Sequence, residues 1–426
     1  MLALRFGLFG LLLTTVACIA PKPADSGDSG DNGGDNGDNG GDNGGDGPTV
    51  YDVRTGEIAI GEAVTLEKVV VSSPKDYQNE GFFVQDVGGG EYSGIYVWSY
   101  DGVAGLYVEE GDEVTVSGTV SDYYGWLQIS LSDPSADVTV TGQADVPAPT
   151  NLGAADGVDW EKWESVPVTL TGQTVESVNE YGVGLLTAGV NLDNLFENTD
   201  FDCRGSFSEI SGIMSYSYEE WAINPRGDED LTGEYTDAET LDTTVVGIQR
   251  DGVCGPVRVT GVVATTPDWQ DDKSTYFFVQ DPGGGEWSGV TVFVEDETWD
   301  VEPGAQLTIE GVVNEFYGLT ELKVTDVDNL AVTGSDSVSP TSLDAAPADW
   351  EPYEGVLITT GTLTATSDAT AETYGQCTTD WSIDLDDAIY RFEATEGDTW
   401  SSVTGAVFYS YSTWTLLPRS EDDFVE

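Results

Sequence analysis

Aromatic side chains in predicted turns are the residues of this sequence best suited to bind a ligand. They are Tyr77, Tyr123 and Tyr124 in the first half of the chain, and Trp269, Phe316 and Tyr317 in the second. Aromatic rings stack on sugars, bases and peptide side chains. The alternative is that each ring folds back over the core with its hydroxyl bonded to backbone. We favour this structural role, because a turn tyrosine recurs at four places in the chain.

A second candidate site is an acidic, glycine-rich turn that occurs twice. Asp86 and Glu91 flank three glycines, and Asp281 and Glu286 flank the second copy. Carboxylates and bare backbone carbonyls are the ligands that calcium prefers, so Ca²⁺ is the one cofactor to consider. The turn lacks the spacing of a dense calcium loop. The favoured interpretation is therefore a hairpin turn with solvated acids.

Composition excludes several kinds of active site. The 426 residues include 78 acidic and 14 basic ones, no histidine, and a net charge of −64. The absence of histidine removes the usual general base at neutral pH and the commonest zinc ligand. An acidic surface repels phosphate backbones, whose binding depends on Lys and Arg. We therefore expect no catalytic site and no direct binding of nucleic acid.

The N-terminus predicts export. A single positive charge, Arg5, precedes an apolar run over 6–17 that is too short to cross a bilayer of ~30 Å, as in a secretory signal peptide. The run ends in Thr-Val-Ala-Cys18, which resembles the lipobox of bacterial lipoproteins, where the cysteine is lipidated; an ordinary signal peptide is the alternative. Residues 24–47 are Gly, Asp, Asn and Ser with one Ala, and they predict a disordered tether. Together they predict a lipoprotein anchored through Cys18, in the outer membrane or at the cell surface of a bacterium.

Three further cysteines, Cys203, Cys254 and Cys377, lie far apart and form no CxxC motif. An odd number in an exported protein permits one disulfide and one free thiol. The sequence does not fix which two would pair. If Cys203 and Cys254 paired, they would link the second predicted domain to the third.

A repeated segment indicates which strands position these residues. FFVQDVGGGEYSG at 82–94 returns as FFVQDPGGGEWSG at 277–289. Apolar and polar residues alternate along the chain, and Gly and Asp interrupt them, which predicts an all-β protein. The first copy contains five predicted strands, at 64–71, 82–86, 95–98, 113–120 and 126–131. A three-stranded meander followed by a final hairpin is the strand order of an OB-fold.

The final hairpin occurs four times, beginning at residues 117, 211, 310 and 404. Each copy has a mid-strand glycine and then a turn tyrosine: Gly118 and Tyr124, Gly212 and Tyr218, Gly311 and Tyr317, Gly405 and Tyr411. A glycine at that point indicates a sharp bend where a side chain would obstruct the barrel. The second and fourth copies also share a Pro-Arg-x₃-Asp ending. It predicts ion pairs of Arg226 with Asp230 and of Arg419 with Asp423 that close the barrel. At the surface each would contribute at most about 1 kcal/mol.

The fold prediction is an all-β chain of four tandem small OB-like β-barrels. They form a duplicated A-B pair, preceded by a signal peptide and a disordered Gly/Asp/Asn tether. The predicted boundaries are 1–18 for the signal peptide through the anchor cysteine, 19–49 for the tether, 50–145 for barrel A1, 152–234 for B1, 241–335 for A2 and 345–426 for B2.

A family resemblance supports this fold. FFVQD with its Gly-rich turn, the GTV strand and the EFYGLTEL hairpin resemble the OB-fold accessory domains of secreted bacterial nucleases and related lipoproteins. The A units match throughout, and the B units match mainly in the last hairpin. The nucleases of that family carry their chemistry in a separate domain that uses histidine, for which this chain has no room. The resemblance therefore implies a fold and not an activity.

These features predict a non-catalytic cell-envelope lipoprotein whose OB-like modules bind an extracellular or periplasmic partner, either carbohydrate or protein. OB-folds commonly bind through the loops that join strands 1–2 and 4–5 and through the face of strands 2–3. The six turn aromatics lie in those loops. One alternative is an accessory or regulatory subunit of an exported nuclease or phosphatase. Another is an enzyme with a carboxylate-only site, such as a two-acid glycosidase.

The anchor can be tested with Cys18→Ser. Without a lipidated cysteine, we expect the protein to move from the membrane fraction to the soluble fraction of the cells that export it. Unchanged membrane fractionation of the variant would contradict lipidation at this position.

Overall fold

A computed structural model describes residues 47–179, 181–196, 199–231, 233–271, 273–370 and 375–426. The chain divides into two compact units, Met1–Asn39 and Gly40–Glu426, and the first lies outside the described residues. The predicted signal peptide, Cys18 and the tether up to residue 46 lie outside them as well. The described part consists of β-strands with a few short helices, which confirms the all-β prediction. None of its helices is long and apolar enough to cross a membrane.

A1 is a closed five-stranded barrel. Its elements are α1 (Val50–Arg54), β1 (Ala63–Val71), β2 (Gly81–Gln85), β3 (Gly94–Trp98), β4 (Asp112–Tyr123), β5 (Trp126–Ser130), α2 (Pro134–Asp137) and β6 (Val138–Gln143). The strands pair in the order β1-β2-β3-β5-β4 and β4 returns to β1, with β3 and β5 parallel. This is the predicted OB-like strand order. Leu66, Phe82 and Ile95 are fully buried inside the barrel.

B1 has the same topology with shorter middle strands. Its strands are β7 (Thr150–Asn151), β8 (Pro167–Val178), β9 (Gly184–Leu186), β10 (Asn191–Leu192), β11 (Ser206–Ser217), β12 (Glu220–Asn224) and β13 (Tyr235–Thr236), with 3₁₀ helices at Trp160–Trp163 and Asp228–Asp230. The barrel closes in the order β8-β9-β10-β12-β11-β8, and β10 and β12 are parallel.

A2 repeats A1. Its elements are β14 (Leu241–Thr243), α3 (Val245–Gln249), β15 (Gly255–Ala264), β16 (Trp269–Asp271), β17 (Ser274–Gln280), β18 (Gly289–Val294), β19 (Ala305–Phe316), β20 (Leu319–Val324), a 3₁₀ helix at Val327–Asn329 and β21 (Leu330–Ser335). The barrel closes in the order β15-β17-β18-β20-β19-β15. The added strand β16 extends the loop between strands 1 and 2 of this barrel, and it pairs with β17.

B2 is the most irregular barrel. Its elements are β22 (Thr341–Leu343), a 3₁₀ helix at Glu351–Tyr353, β23 (Leu357–Thr360), β24 (Leu363–Thr364), β25 (Asp384–Leu385), β26 (Thr399–Trp400), β27 (Ser402–Ser410), β28 (Thr413–Leu417), a 3₁₀ helix at Glu421–Asp423 and β29 (Phe424–Val425). Strands β23, β27, β28 and β25 are adjacent in that order. Single bridges from Ala365 to Thr379 and from Cys377 to Leu385 complete the circuit. The second strand of the OB order is thus reduced to a short segment around Cys377.

The mid-strand glycines lie where the fourth strand of each barrel crosses the fifth. A Cβ on Gly311 would lie 2.6 Å from the carbonyl oxygen of Lys323, and one on Gly118 would lie 2.7 Å from that of Ser130. The glycines of B1 and B2 make the same approach, at 2.7 and 2.8 Å. These contacts confirm that a side chain at this position would obstruct the barrel.

The repeated FFVQD segment joins each A barrel to the B barrel that follows it. The first phenylalanine, Phe82 or Phe277, is buried inside the A barrel. The second, Phe83 or Phe278, lies on the outside of the barrel and packs against residues of the B barrel. Both outer rings are fully buried. The segment is therefore an interface as well as a barrel strand.

The last glycine of the segment lets the two backbones meet. A Cβ on Gly94 would lie 1.9 Å from the carbonyl oxygen of Ser165 in B1. On Gly289 it would lie 2.1 Å from the carbonyl carbon of Gly355 in B2. Any other residue would force the barrels apart, because the atoms it meets are backbone atoms that cannot rotate away.

A buried glutamate lies next to each of these contacts, one residue before Ser165 or Gly355 in the sequence. In the first pair, Glu164 of B1 forms an ion pair with Arg54 of A1 and accepts a hydrogen bond from the backbone N–H of Leu127 at 3.1 Å. In the second pair, Glu354 accepts from the backbone of Thr320 at 3.0 Å and from the amide of Gln249 at 3.1 Å. The A2–B2 joint therefore has an amide where the A1–B1 joint has a guanidinium.

The Pro-Arg-x₃-Asp endings form the predicted ion pairs but not at the surface. Arg226 makes two bonds to Asp230, at 2.6 and 2.7 Å, and is 7% exposed. Its remaining nitrogen donates to the carbonyl of Ser72 at 3.2 Å and to Glu110 at 2.7 Å, both in A1. In the second pair, Arg419 likewise reaches a carbonyl of A2. Each pair thus orients an arginine that binds the neighbouring barrel.

A disulfide joins the two halves. Cys203 of B1 is bonded to Cys254 of A2, with their Cα atoms 5.7 Å apart. The adjacent Arg204 donates to the carbonyl of Cys254 at 2.8 Å and to that of Glu239 at 3.0 Å. Cys377 is a buried free thiol, and burial raises its pKa to about 11. It is therefore protonated and unreactive at neutral pH.

The glycine contact in A2 can be tested with Gly311→Val. We expect the free energy of unfolding to fall by about 1–3 kcal/mol or more, because the new side chain meets backbone of β20. Urea unfolding would measure this change. Gly283→Val is the matched control, since a Cβ there meets nothing within 4 Å. Equal stability of the two variants would show that the crossing is not tight.

The two buried glutamates should respond oppositely to replacement by glutamine. Burial raises the pKa of Glu354 from 4.5 to about 8, with Glu351 and Glu315 adding to the shift. The folded chain therefore keeps a proton that the unfolded chain releases, and the stability this provides is lost as the pH rises from 4.5 to about 8. Glu354→Gln removes that loss. We expect it to stabilise the protein at about pH 8 and to flatten the pH dependence of urea unfolding.

Glu164→Gln is the comparison. It leaves Arg54 buried without its main counter-ion, which costs on the order of 3 kcal/mol. We expect destabilisation at about pH 8, where the variant of the second pair is stabilised. The same sign for both substitutions would contradict the distinction between the two joints.

Candidate ligand-binding cleft

The six predicted aromatics lie at corresponding places in A1 and A2. Tyr77, Tyr123, Tyr124, Phe316 and Tyr317 are exposed and Trp269 is half-buried. The alternative in which the turn aromatics cap the barrel cores is therefore wrong for the tyrosines. The loops that hold them meet the neighbouring B barrel, as where the N–H of Tyr77 donates to the carbonyl of Leu195 at 2.9 Å.

The four turn tyrosines have an unusual backbone. Their φ angles are positive: 51° at Tyr124, 52° at Tyr218, 52° at Tyr317 and 49° at Tyr411. Each is the first residue of a two-residue hairpin turn, and the second residue also has a positive φ. Asn and Gly are the usual residues in such turns, and a tyrosine there costs on the order of 1 kcal/mol. Since the barrel cores do not bury these rings, their recurrence favours a role at the surface.

The A2 aromatics line a cleft of about 750 Å³ between A2 and the last hairpin of B2. A2 contributes Trp269, Tyr276, Phe293, Phe316, Tyr317, Leu319 and Glu321, and B2 contributes Phe408, Tyr409, Ser410, Tyr411 and Ser412. The three residues predicted from the A2 sequence are thus together in one cleft. It lies over the loops and the strand 2–3 face through which OB-folds bind.

The A2 wall of the cleft is an aromatic ladder across neighbouring strands. Trp269 pairs with Tyr276 across β16 and β17, with ring centroids 5.4 Å apart and planes at 19°. Tyr276 pairs with Phe293 across β17 and β18, at 5.0 Å and 29°. From B2, Phe408 meets Trp269 edge-on at 6.1 Å and 82°. The three A2 rings therefore form one continuous stack, and Phe408 lies perpendicular to the end of it.

One carboxylate lies at the inner end of this cleft. Glu321 on β20 lies opposite Thr291 of β18 and is 4% exposed. It accepts a hydrogen bond from the amide of Asn314 at 2.7 Å. Burial raises its pKa above the ordinary value, and Asn314 and Lys323 offset part of that rise. Glu321 is the one acidic residue among the described residues that line the cleft.

The corresponding region of A1 and B1 is filled. Tyr96 stacks on Trp126 with centroids 4.5 Å apart and planes at 18°, and Phe83 and Phe196 pack against them. The strand register places Thr291 and Leu319 of A2 at the positions of Tyr96 and Trp126. Both replacements are smaller, but Tyr276 of A2 stands where A1 has Gly81, against which the ring of Tyr96 packs. The second pair thus has a cleft where the first has packed rings.

The hairpin turns of the first pair also meet. Tyr124 stacks on Tyr218 of B1 with centroids 5.9 Å apart and planes at 19°. A hydrogen bond with Tyr218 raises the pKa of Tyr123. In the second pair, the equivalent Tyr317 and Tyr411 both line the cleft instead.

The predicted acidic turns are engaged in other contacts. Asp86 accepts from the backbone N–H groups of Val50 and Tyr51, both at 3.2 Å, at the start of α1. Asp281 accepts from the start of α3 in the same way. Glu91 pairs with a lysine of B1 at 3.3 Å, and Glu286 accepts from a tyrosine of B2 at 3.0 Å. Within the described ranges, no group of three or more acidic or cysteine side chains is arranged to hold a metal. The calcium site stays a prediction that these contacts do not favour.

The site prediction missed the carboxylate of the cleft and five of its aromatics, which are Tyr276, Phe293, Phe408, Tyr409 and Tyr411. Tyr276, Phe293 and Glu321 lie within strands β17, β18 and β20, whereas the predicted site residues all lie in predicted loops. Phe408 stands at the position of Ser215 in the B1 hairpin. The sequence signal for this part of the cleft is thus a different residue type at equivalent positions of the two copies.

No protein-family model matches the sequence, and no curated protein matches it significantly. Three solved structures are similar in part. The Ifi202 HINa domain in complex with 20-bp double-stranded DNA is 15% identical, with a TM-score of 0.18, over 40% of this chain and 96% of that one. A structure on the molecular basis for abrogation of activation of pro-inflammatory cytokines is 17% identical, with a TM-score of 0.16, over 39% and 92%. A replication protein A heterotrimer bound to single-stranded DNA is 10% identical, with a TM-score of 0.19, over 66% and 94%. TM-scores this low carry no argument about ligands, so the OB-like assignment rests on the strand order itself.

Proposed function

We propose that the protein is a non-catalytic cell-envelope lipoprotein, anchored through Cys18, that binds an extracellular or periplasmic carbohydrate or protein in the A2–B2 cleft. The aromatic ladder of that cleft is the observation that carries the proposal. Stacking rings with a few polar groups at one end suit a binding site, because the rings give affinity and the polar groups give orientation.

The difference between the two barrel pairs supports this function. A1 and B1 fill their interface with Tyr96 and Trp126, whereas A2 and B2 keep an open aromatic surface at the same place. Exposed aromatic surface of this kind is unfavourable unless it serves contact with a partner. The first pair then supplies a rigid support, and the second pair supplies the binding site.

The composition of the cleft supports binding rather than catalysis. Hydrolysis of glycosides by two acids needs a carboxyl pair across the scissile bond. Along the described lining, Glu321 is the only carboxylate, and the chain has no histidine to act with it.

Trp269→Ala tests the proposal. We expect the variant to lose binding to the glycan or secreted protein captured by the natural chain in a screen of immobilised glycans and envelope proteins. Removal of a stacking aromatic costs about 1–3 kcal/mol, which is roughly a tenfold to hundredfold loss of affinity. Isothermal titration calorimetry with the captured ligand would measure it.

Tyr77→Ala is the matched control, because Tyr77 occupies the equivalent loop of A1. It should leave the affinity unchanged. A ligand that binds Trp269→Ala as tightly as the natural protein would place the site elsewhere and overturn the proposal.

A further inference from the structure

We propose that the A2–B2 cleft takes a cationic side chain, the lysine ammonium of a protein or peptide partner. This inference rests on the proposed function, and it selects a basic protein partner over a carbohydrate. The combination that carries it is an aromatic cleft with a buried carboxylate at its inner end.

The aromatic walls suit a cation. A Lys ammonium within about 6 Å of a ring face is attracted by the ring quadrupole, most strongly by tryptophan. Trp269, Tyr276 and Phe293 lie side by side with nearly parallel planes. All three rings line the cleft. The methylene stem of a lysine can lie along these rings while its charge moves inward.

The charges around the inner end are unbalanced. The groups that act on Glu321 are Lys323, Glu295 and Glu315. The ammonium of Lys323 is paired with Glu295 at 2.7 Å. The one ammonium that acts on Glu321 is therefore already paired with another carboxylate. An ammonium brought in by a ligand would give Glu321 a counter-charge of its own.

A neutral ligand is disfavoured by the same geometry. Glu321 is 4% exposed, and a ligand that covers the cleft removes its remaining water. Burying a carboxylate without a counter-charge is costly, whereas pairing it with an ammonium offsets the cost. Burial already raises the pKa of Glu321, which means that burial disfavours its charged form. A sugar can stack on the rings but brings no charge to the carboxylate.

The first barrel pair provides an internal comparison. The strand register places Gln128 of A1 at the position of Glu321. A1 therefore combines a filled interface with a neutral amide, and A2 combines an open cleft with an acid. The charge and the cavity occur together.

The whole-chain charge acts in the same sense. A net charge of −64 attracts basic partners over long range and repels acidic ones, and this speeds encounter at low ionic strength. That attraction is diffuse, so a test must separate it from the cleft.

The test uses the full chain, calorimetry at about physiological ionic strength, and three probes. They are an end-capped Gly-Gly-Lys-Gly-Gly peptide, its Nε-acetylated form, and a neutral glucan hexasaccharide. A single lysine limits diffuse attraction, and acetylation removes the charge with little change in shape. We expect the lysine peptide to bind and the acetylated peptide to bind at least about tenfold more weakly.

Glu321→Gln installs the residue of the first pair and can still accept from Asn314. We expect it to lower the affinity for the lysine peptide by at least about tenfold, while the midpoint of urea unfolding stays unchanged. Glu302→Gln, an exposed position outside the cleft lining, is the control for the loss of one charge and should have no effect.

The outcomes separate this inference from the proposed function. Binding of the lysine peptide that survives Glu321→Gln or acetylation overturns the inference. Binding of the hexasaccharide, lost in Trp269→Ala, with no binding of the lysine peptide also overturns it and supports a carbohydrate-binding cleft. If no probe binds, the cationic ligand is rejected, and the screen with Trp269→Ala still decides whether the cleft binds a partner.

Discussion

The close approach of each A barrel to its B barrel is the constraint on which the rest of the structure depends. It requires a glycine, Gly94 or Gly289, because the backbone of the B unit occupies the space of a Cβ. It also places a B glutamate, Glu164 or Glu354, under the fifth strand of the A barrel, where it accepts a backbone N–H. With these two contacts set, the last hairpins of the two barrels face each other. The side chains of the hairpins and neighbouring strands then determine whether the space between the barrels is filled or open.

The two pairs use this shared frame differently. Between A1 and B1, Tyr96 and Trp126 stack and Tyr124 meets Tyr218, so the hairpins are held together by aromatic contacts. Between A2 and B2, the shorter Leu319 takes the place of tryptophan, and the remaining rings face an open cleft. A duplicated joint of this kind lets one copy keep the packing that stabilises the chain. The other copy is then free to accumulate residues that serve contact with a ligand.

The barrels were predictable from the sequence because their signals are local. The alternation along β4 and β19, the glycines at 118 and 311 and the turn tyrosines each act within a few residues of their own position. The contact between the A and B barrels was not predictable, because it pairs residues that are far apart in the sequence, such as Arg54 and Glu164. Among 78 acidic residues, nothing distinguishes a buried glutamate before the fold is known. The cleft was predicted in part. Its loop aromatics follow from OB topology, whereas Glu321 is a strand residue whose burial the sequence does not show.

Charge distinguishes the two joints as much as cavity does. At the joint, Gln249 stands where the first pair has the cation Arg54, and in the cleft Glu321 stands where it has the neutral Gln128. The first difference removes a buried cation and the second adds a buried acid. Burial raises the pKa of Glu164 to about 7 and that of Glu354 to about 8, and it also raises the pKa of Glu321. Neither change improves folding, because a buried acid without a cation is destabilising. Residues that cost stability are retained where they serve function. The disulfide and Arg204 tie A2 to the B1 barrel, so the second pair is held to the first by a covalent bond as well as by hydrogen bonds.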